Sequence, residues 1–205
     1  MQKKFIVLLI IIFYFIPGLS ASHQQKNIKK LPLIAIETTK GTIIIELYPK
    51  KAPATVNNFL RYTKENRWKG ATFYRTVTLQ NQPDNKIKIE VIQGGLKDEH
   101  DTQNLPPIPL ETTKTTGLHH VNGTISMARG KPNSATSEFF ICIGNQPSLD
   151  FGGKRNPDGQ GFAAFGKVIK GMDVVKKIQR MPAKKQHLSP EVKIISIHII
   201  KSGEN

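Results

Sequence analysis

Cysteine is nearly absent from this chain, and this limits how the chain can be stabilised. Cys142 is the only cysteine in 205 residues, so no disulfide can form within the chain and stability must come from packing. Cys142 lies between Ile141 and Ile143, and cysteines in apolar surroundings are usually buried. We therefore interpret it as a small core residue, with a nucleophilic role as the less favoured alternative.

The chain also lacks the common motifs of metal, nucleotide and hydrolytic sites. Its six histidines form no HxxxH or HExxH pattern, the spacing with which zinc is bound on a helix. No GxSxG, no GxxxxGK[ST] and no GxGxxG after a strand is present. We expect neither a metal nor a cofactor. The classes that remain are an enzyme that needs neither, or a binding module.

Acidic residues are scarce relative to basic ones. Thirty Lys and Arg residues against 15 Asp and Glu residues give a formal charge of +15. Such a charge can mark a nucleic-acid binder, but the lysines are scattered in small pairs without interleaved aromatic residues. We favour a solvated basic surface and expect no nucleic-acid partner. Nucleic-acid binding remains the minor alternative.

Only one long apolar run is present, and it lies near the N terminus. A basic start, "MQKK", precedes the twelve apolar residues Phe5–Ile16, and "PGLSAS" follows them. This is the layout of a secretory signal peptide, whereas a membrane span needs about 20 apolar residues. We predict a signal peptide at residues 1–21 and a polar linker at residues 22–32. The alternative is an uncleaved membrane anchor.

Residues 33–203 have the pattern of a mainly β domain. Helices are predicted at residues 53–68, where Pro53 suits the first turn, and at residues 172–181, and no regular element is expected in residues 96–122. About eight strands with short turns favour a sandwich or a closed barrel. The predicted strands are LIAIE and TIIIELY joined by a turn at Gly41, ATFYRTVTL, KIKIEVIQGG, GTISMAR, EFFICIG, FAAFGKVIKG and VKIISIHIIKS.

Five ordered stretches resemble one family, the cyclophilin-type peptidyl-prolyl cis-trans isomerases. They are FYR (73–75), QGG (93–95), GTISMAR (123–129), PNSATSEFFI (132–141) and FGKVIKGMDVV (165–175). The resemblance implies a closed eight-stranded antiparallel β-barrel capped by two α-helices. It also implies a monomeric enzyme that binds proline-containing unfolded or extended polypeptides and assists folding of exported proteins. The bacterial character of "MAR…PNSATSEFFI" favours a periplasm.

The resemblance also assigns a binding groove on the outside of the barrel. Arg75 takes the position of the catalytic arginine, and Phe140 takes that of the ring on which the proline sits. The other residues that the resemblance places in the substrate groove are Val91, Gln93, Ala128, Arg129, Glu138, Leu149 and Phe162.

The chemistry implied by the resemblance needs no covalent step. An X-Pro bond rotates over a barrier of about 18–20 kcal/mol because its C–N bond has partial double-bond character. A guanidinium beside the prolyl nitrogen can bind the lone pair that appears only when conjugation is broken, and so stabilises the twisted state. A module that binds proline-containing peptides, or a holdase with little isomerase activity, is the alternative function.

Several residues depart from the family pattern. Glu138 stands where glutamine is usual, and an acid there can pair with Arg75. Such a pair would either orient Arg75 or reduce activity. Phe162 replaces the histidine or tyrosine of relatives, and Ser148 lies near a tryptophan position associated with cyclosporin, so weak cyclosporin binding is expected. An insertion at residues 78–88 separates FYR from QGG and leaves Glu90 at a position that phenylalanine usually holds.

Strand alternation assigns the two adjacent phenylalanines to opposite faces. Phe139, Ile141 and Ile143 share one face, which we expect to fill the barrel. Phe140 and Cys142 share the other face. The two rings are therefore predicted to have different roles.

Overall fold

The computed structural model describes residues 30–98 and 100–200. The chain divides into two units after residue 30, and all the elements below belong to the second. The predicted signal peptide and residues 22–29 of the predicted linker lie outside the described residues. Within the described residues, no helix is long and apolar enough to cross a membrane.

The second unit is built mainly of β-strands. The strands are β1 (Leu33–Thr38), β2 (Gly41–Leu47), β3 (Thr72–Val77), β4 (Val91–Gly95), β5 (Thr124–Met127), β6 (Phe139–Cys142), β7 (Ala163–Lys170), β8 (Ala183–Lys184) and β9 (His187–Ile200). The helices are α1 (Pro53–Lys64), α2 (Thr113–Thr116) and α3 (Met172–Gln179), and a 3-10 turn covers Pro147–Leu149.

Eight of these strands close into a barrel. Their order is β1-β2-β7-β5-β6-β4-β3-β9, and β1 also pairs with β9, so the first and last strands complete the wall. Each pairing is antiparallel. The predicted closed eight-stranded antiparallel barrel is therefore confirmed, with β8 as a further strand that pairs with the start of β9.

The predicted hairpin between β1 and β2 depends on Gly41. Thr38 and Gly41 pair across the turn, and Gly41 has φ of +133°, a conformation that other residues rarely adopt. A Cβ atom at Gly41 would also lie 2.8 Å from a methyl group of Val174. Glycine therefore permits both the turn and the close approach of α3.

Helix α1 begins at Pro53, as predicted, and ends at Lys64. Val56, Phe59 and Tyr62 form its buried stripe, and the spacing of three residues places them on one face. No residue of the helix caps its N terminus through a side chain. Instead, the carboxylate of Glu111 accepts hydrogen bonds from the first-turn backbone, which satisfies donors that would otherwise lack partners.

The insertion differs from the sequence expectation in one important way. Residues 78–90, here called the insertion loop, remain outside the sheet, although KIKIE alternates like a strand. The buried amide of Gln82 donates to Ile89 O (2.8 Å) and accepts from Ile89 N (3.3 Å). It therefore occupies the backbone groups that a strand would use for pairing, and β4 begins only at Val91.

Two smaller differences from the sequence prediction are an additional short helix and an earlier start of the last strand. A one-turn helix, α2, lies in the polar segment 96–122 where no element was expected, and Gly117 ends it in the left-handed conformation with φ of +67°. The last strand begins at His187 rather than near residue 192 because its first residues pair with β8 and β3.

The apolar residues form two separate clusters. Phe139, Ile141 and Ile143 belong to the large cluster in the barrel interior, as strand alternation predicts. Phe139 meets the rings of Phe59 and Phe73 at centroid distances of 5.5 and 5.7 Å. The smaller cluster lies on the opposite face of the wall and contains Val77, Ile89, Val91, Ala128, Phe140, Cys142 and Leu149, with Phe162 packed against it.

Candidate active site

The smaller cluster forms the floor of a cavity of about 810 Å³ on the outer face of the barrel. All nine residues that the resemblance places in the groove line this cavity: Arg75, Val91, Gln93, Ala128, Arg129, Glu138, Phe140, Leu149 and Phe162. They come from β3, β4, β6 and the two connections that flank β6, so the closed barrel brings together residues that are up to 87 positions apart.

A bulge in β3 directs Arg75 into this cavity. Phe73 pairs with Gly94 and Arg75 pairs with Gln93, so Tyr74 is an extra residue without a position of its own in the ladder. In a regular strand Phe73 and Arg75 would share a face. The bulge reverses the alternation, so that Phe73 fills the barrel while Arg75 lines the cavity.

A hydrogen-bonded chain fixes the Arg75 guanidinium. Its Nη1 donates to Gln93 Oε1 (2.7 Å), while Nε and Nη2 both donate to Gln186 Oε1 (2.9 and 2.6 Å). Gln93 Nε2 in turn donates to the Tyr74 hydroxyl (2.7 Å) and to Glu138 Oε2 (3.0 Å). Because the guanidinium is planar, partners on two sides determine its plane as well as its position.

Arg75 and Tyr74 keep their usual charge states in this hydrogen-bonded network. Burial lowers the pKa of Arg75, and the negative charge of Glu138 opposes that change, but an arginine remains protonated in proteins. Burial, and then the charge of Glu138, raise the pKa of Tyr74 above its ordinary value, so its hydroxyl stays neutral. The predicted influence of Glu138 on Arg75 is thus electrostatic and is also relayed through Gln93.

The opposite wall of the cavity is apolar. Phe140 is 4% exposed, and the Phe162 ring meets it edge-on at 5.4 Å with an interplanar angle of 90°. Leu149 and Val91 complete the floor together with Ile89. Ile89, near the end of the insertion loop, lines the cavity and is adjacent in sequence to Glu90, the residue at the position that phenylalanine usually holds. Glu90 instead accepts a hydrogen bond from Gln179 (3.2 Å).

The side chain of Arg129 stabilises one rim of the cavity. It donates to both carboxylate oxygens of Asp158 (2.7 and 2.9 Å) and to Gly161 O (2.9 and 2.6 Å). Its guanidinium also lies 5.2 Å from the centre of the Phe162 ring. Arg129 therefore joins the 158–161 loop to the wall that Phe162 forms, a function that its backbone alone would not supply.

A second polar chain lies behind Phe140. The His120 ring is parallel to Phe140 at 5.8 Å. Its Nδ1 is 2.6 Å from Asp150 Oδ1, and its Nε2 is 2.9 Å from Ser126 Oγ. Asp150 also contacts His119 Nδ1 at 2.8 Å. These bonds hold His120 as a rigid support for the floor of the cavity.

The Asp150 carboxylate should make stability depend on acid pH. Burial opposes its ionisation, but hydrogen bonds from His120 and His119 outweigh that effect and hold the pKa of Asp150 below its ordinary value. A depressed carboxyl pKa contributes stability above the unfolded-state value of about 3.9 and loses it as pH falls through the folded value. We therefore expect Asp150→Asn to lower the free energy of unfolding at about pH 5 more than at about pH 3.

Urea unfolding of the wild type and Asp150→Asn at both pH values tests this. Asp84→Asn is the control, because Asp84 is exposed and forms no ion pair with any residue that the structure describes. An Asp150→Asn effect that is equally large at both pH values would contradict the assignment of the ionised carboxylate as the stabilising form.

Three contributors to the site were missed from the sequence: Tyr74, Gln186 and Ile89. Tyr74 is adjacent to Arg75 in FYR, but its place in a bulge has no sequence signal. Gln186 lies 111 residues from Arg75 and reaches it only because β9 pairs with β3. The isoleucines of KIKIE were the available signal for Ile89.

In residues 30–98 and 100–200, no group of three or more His, Cys, Asp or Glu side chains is placed to hold a metal ion.

One glycine sets how closely two parts of the site approach. Gly95, at the end of β4, has φ of +129°, and a Cβ atom there would lie 2.6 Å from Ser137 O. That distance is shorter than a nonbonded contact allows. Glycine at this position therefore lets the end of β4, two residues after Gln93, lie directly against the segment that carries Glu138.

Comparison with known proteins agrees with this geometry. Residues 33–199 match the family model for the cyclophilin type peptidyl-prolyl cis-trans isomerase/CLD. A peptidyl-prolyl cis-trans isomerase of Acinetobacter baylyi is 36% identical over 187 residues, which cover 88% of this chain and 90% of the relative. Isomerase B of Escherichia coli is 34% identical over 148 residues, or 72% of this chain and 84% of the relative.

Solved structures give the same fold. A cyclophilin type isomerase of Cryptosporidium parvum, crystallised in the presence of the dipeptide Ala-Pro, superposes with a TM-score of 0.67 at 23% identity and covers 83% of this chain and 99% of its own. A second crystal structure of that protein gives a TM-score of 0.65 at 24% identity, with 84% and 99% covered. With the family match over most of its length, the chain belongs to the cyclophilin-type peptidyl-prolyl cis-trans isomerases.

Proposed function

We propose that this isomerase acts on X-Pro bonds of exported polypeptides, in a bacterial periplasm, and that the cavity beside Arg75 holds the bond being rotated. One observation carries the proposal: a guanidinium fixed by Gln93 and Gln186 faces the same cavity as an apolar floor centred on Phe140. The remaining predicted residues line that cavity as contacts for the polypeptide.

Each wall of the cavity has a distinct role in this proposal. The prolyl ring lies on Phe140 between Leu149 and Phe162, which holds one side of the C–N bond still. Arg75 donates to the prolyl nitrogen, whose lone pair becomes available only in the twisted state, so the bond to Arg75 is stronger there than in either planar state. Each preference of about 1.4 kcal/mol raises the rate tenfold.

Support for a proline-binding site comes also from the Cryptosporidium relative, which was crystallised in the presence of Ala-Pro. The direct test is a protease-coupled assay of the chain without residues 1–21, using a peptide with one X-Pro bond. Acceleration of the cis-to-trans step is expected. Folded protein that leaves the uncatalysed rate unchanged would contradict the proposed site.

Glu138 is expected to moderate this activity. Its carboxylate accepts from Gln93 and partly neutralises the field of Arg75. In Glu138→Gln the amide oxygen can still accept from Gln93, while the negative charge is removed. We expect kcat/KM to rise about two- to fivefold, the range for a partly exposed charge interaction.

The measurement is kcat/KM of Glu138→Gln beside the wild type. Glu65→Gln is the matched control, since Glu65 pairs with Arg61 through Oε1 and neither residue lines the cavity. A fall in kcat/KM for Glu138→Gln alone would show instead that the carboxylate orients Arg75 productively.

Glu138 also supports the second candidate function, a proline-peptide-binding module or holdase with little isomerase activity. If the carboxylate compensates the charge of Arg75 too strongly, the apolar floor still binds proline but the twisted state gains little. Tight peptide binding without rate enhancement would favour this alternative.

Export is proposed from the N-terminal residues. The basic start and the short apolar run fit a signal peptide. Residues 1–32 fused to a reporter that is active only outside the cytoplasm should give active reporter in the soluble periplasmic fraction. Active reporter confined to the membrane fraction would favour the uncleaved anchor, and inactive reporter would contradict export.

Two further properties are proposed for the exported domain. Ser148 offers no large ring beside the cavity, so cyclosporin should bind weakly, as a titration followed by inhibition of the isomerase rate would measure. We also propose a monomer, which sedimentation of the purified chain tests.

A further inference from the structure

We propose that the insertion loop and the turn between β8 and β9 form a second subsite, which binds an acidic side chain that lies two or three residues from the proline of the polypeptide. This inference rests on the proposed function, because it concerns the residues that flank the X-Pro bond in the same groove. It goes further because it names a preference for acidic residues near the proline, which the insertion of this chain would create.

The subsite is a second cavity of about 480 Å³. Arg75 lines both this cavity and the first one, so the two cavities are adjacent at this residue. The other lining residues come from the insertion loop and from the turn: Asn81, Gln82, Pro83, Asp84, Asn85, Lys185, Gln186 and His187. A polypeptide that places its proline on Phe140 and passes Arg75 in the direction of the turn therefore enters this cavity.

Hydrogen bonds build the wall between the loop and the turn. Gln186 accepts from Arg75 and donates from Nε2 to Asn81 O (3.1 Å). Gln82 is 1% exposed, and its amide donates to Thr78 O (2.7 Å) as well as to Ile89 O. Asn81 Nδ2 donates to Thr76 O (3.0 Å). The loop is thus fixed to β3 and to the turn, and the cavity exists before any polypeptide binds.

The charges around the cavity favour an anionic side chain. Lys185, at the tip of the turn with φ of +58°, is exposed and forms no ion pair with any residue that the structure describes. Arg75 adds a second positive charge at the inner end, against the single carboxylate of Asp84 in the lining. The side chains that complement two cations and several amides are Asp and Glu.

Because the two cavities share Arg75 as a lining residue, one polypeptide can occupy both. An extended polypeptide advances about 3.3 Å per residue. We therefore place the acidic side chain two or three positions from the proline, about 7–10 Å along the polypeptide. The proposal does not need a second polypeptide or a change in the fold.

The test uses four peptides of equal length with one X-Pro bond, carrying Glu or Lys three positions before or after the proline. Dissociation constants come from fluorescence anisotropy, and isomerase rates are measured on the same peptides. On one side of the proline, the wild type should bind the Glu peptide about threefold more tightly than the Lys peptide, as for a partly exposed ion pair. Lys185→Glu should remove or reverse that preference.

Lys184→Glu is the matched control. It makes the same change in net charge one residue away, at an exposed position that is outside the cavity lining, so it should keep the wild-type preference. Equal binding of the Glu and Lys peptides on both sides, or an equal loss of preference in Lys184→Glu and Lys185→Glu, would overturn the subsite. Binding without any rate enhancement would instead overturn the proposed isomerase role of the site, and the peptide preference would still decide the subsite.

Discussion

Arg75→Ala is expected to lower kcat/KM about 10²–10³-fold, the usual cost of removing a positioned donor from a transition state. The loss should fall mainly on kcat, since the donor binds the twisted amide more strongly than the planar one. Arg75→Lys should recover only part of the rate. Lysine keeps the charge but cannot donate in one plane to Gln93, to Gln186 and to the substrate.

The Arg75 result needs two controls. Arg61→Ala removes an arginine of α1 whose side chain is 56% exposed and pairs with Glu65, the residue after the helix, so it should leave the rate unchanged. Circular dichroism and urea unfolding must show that Arg75→Ala is folded, since the change leaves the amide oxygens of Gln93 and Gln186 without this donor. A folded Arg75→Ala protein with the wild-type rate would remove Arg75 from the mechanism.

Alanine substitutions of the adjacent residues Phe139 and Phe140 should have different effects, the first mainly on stability and the second mainly on activity. Phe139→Ala is expected to lower the free energy of unfolding by about 3–5 kcal/mol, because truncating a fully buried ring leaves a cavity. Phe139 is 0% exposed and contacts three aromatic rings in the barrel interior. Such a loss is a large part of the stability of a typical domain.

Phe140→Ala should instead reduce activity more than stability. Removal of the ring on which the proline lies is expected to lower kcat/KM about 10-fold or more, the usual scale for a lost apolar contact with a substrate. Its effect on unfolding should be smaller than that of Phe139→Ala, because one face of Phe140 borders the cavity. Phe151, which is 37% exposed, offers a third alanine variant in which activity should not change and stability should fall less than in Phe139→Ala.

Urea unfolding and kcat/KM measured on all three variants decide this. A Phe139→Ala protein that is as stable as Phe140→Ala would show that the two clusters are not separate. A Phe140→Ala protein with full activity would show that the proline does not lie on this ring.

The sequence predicts those parts of the fold that follow from local patterns. Alternation in EFFICIG assigned Phe139 and Phe140 to opposite faces, and Gly41 marked a turn that needs positive φ. Pro53 marked the start of α1. Each of these signals acts within a few residues, where backbone sterics and side-chain period limit the choices.

Features that depend on distant partners were not predictable in the same way. KIKIE alternates like a strand, but the Gln82 amide takes the backbone groups of Ile89 and keeps the segment in a loop. Gln186 contacts Arg75 only in the closed barrel. The resemblance supplied the nine lining residues, yet nothing in the sequence indicated that the Arg129 side chain would bind Asp158 and Gly161 at the rim.

Closure of the barrel by its first and last strands has a consequence for the order of folding during synthesis. Because β9 pairs with β1, β3 and β8, a nascent chain that ends before residue 187 lacks a partner for one edge of β1 and one edge of β3. Contacts between residues so far apart in sequence form slowly. The ribosome must therefore release residues 187–200 before the wall can close, so the nascent polypeptide stays without its closed barrel until β9 has been made.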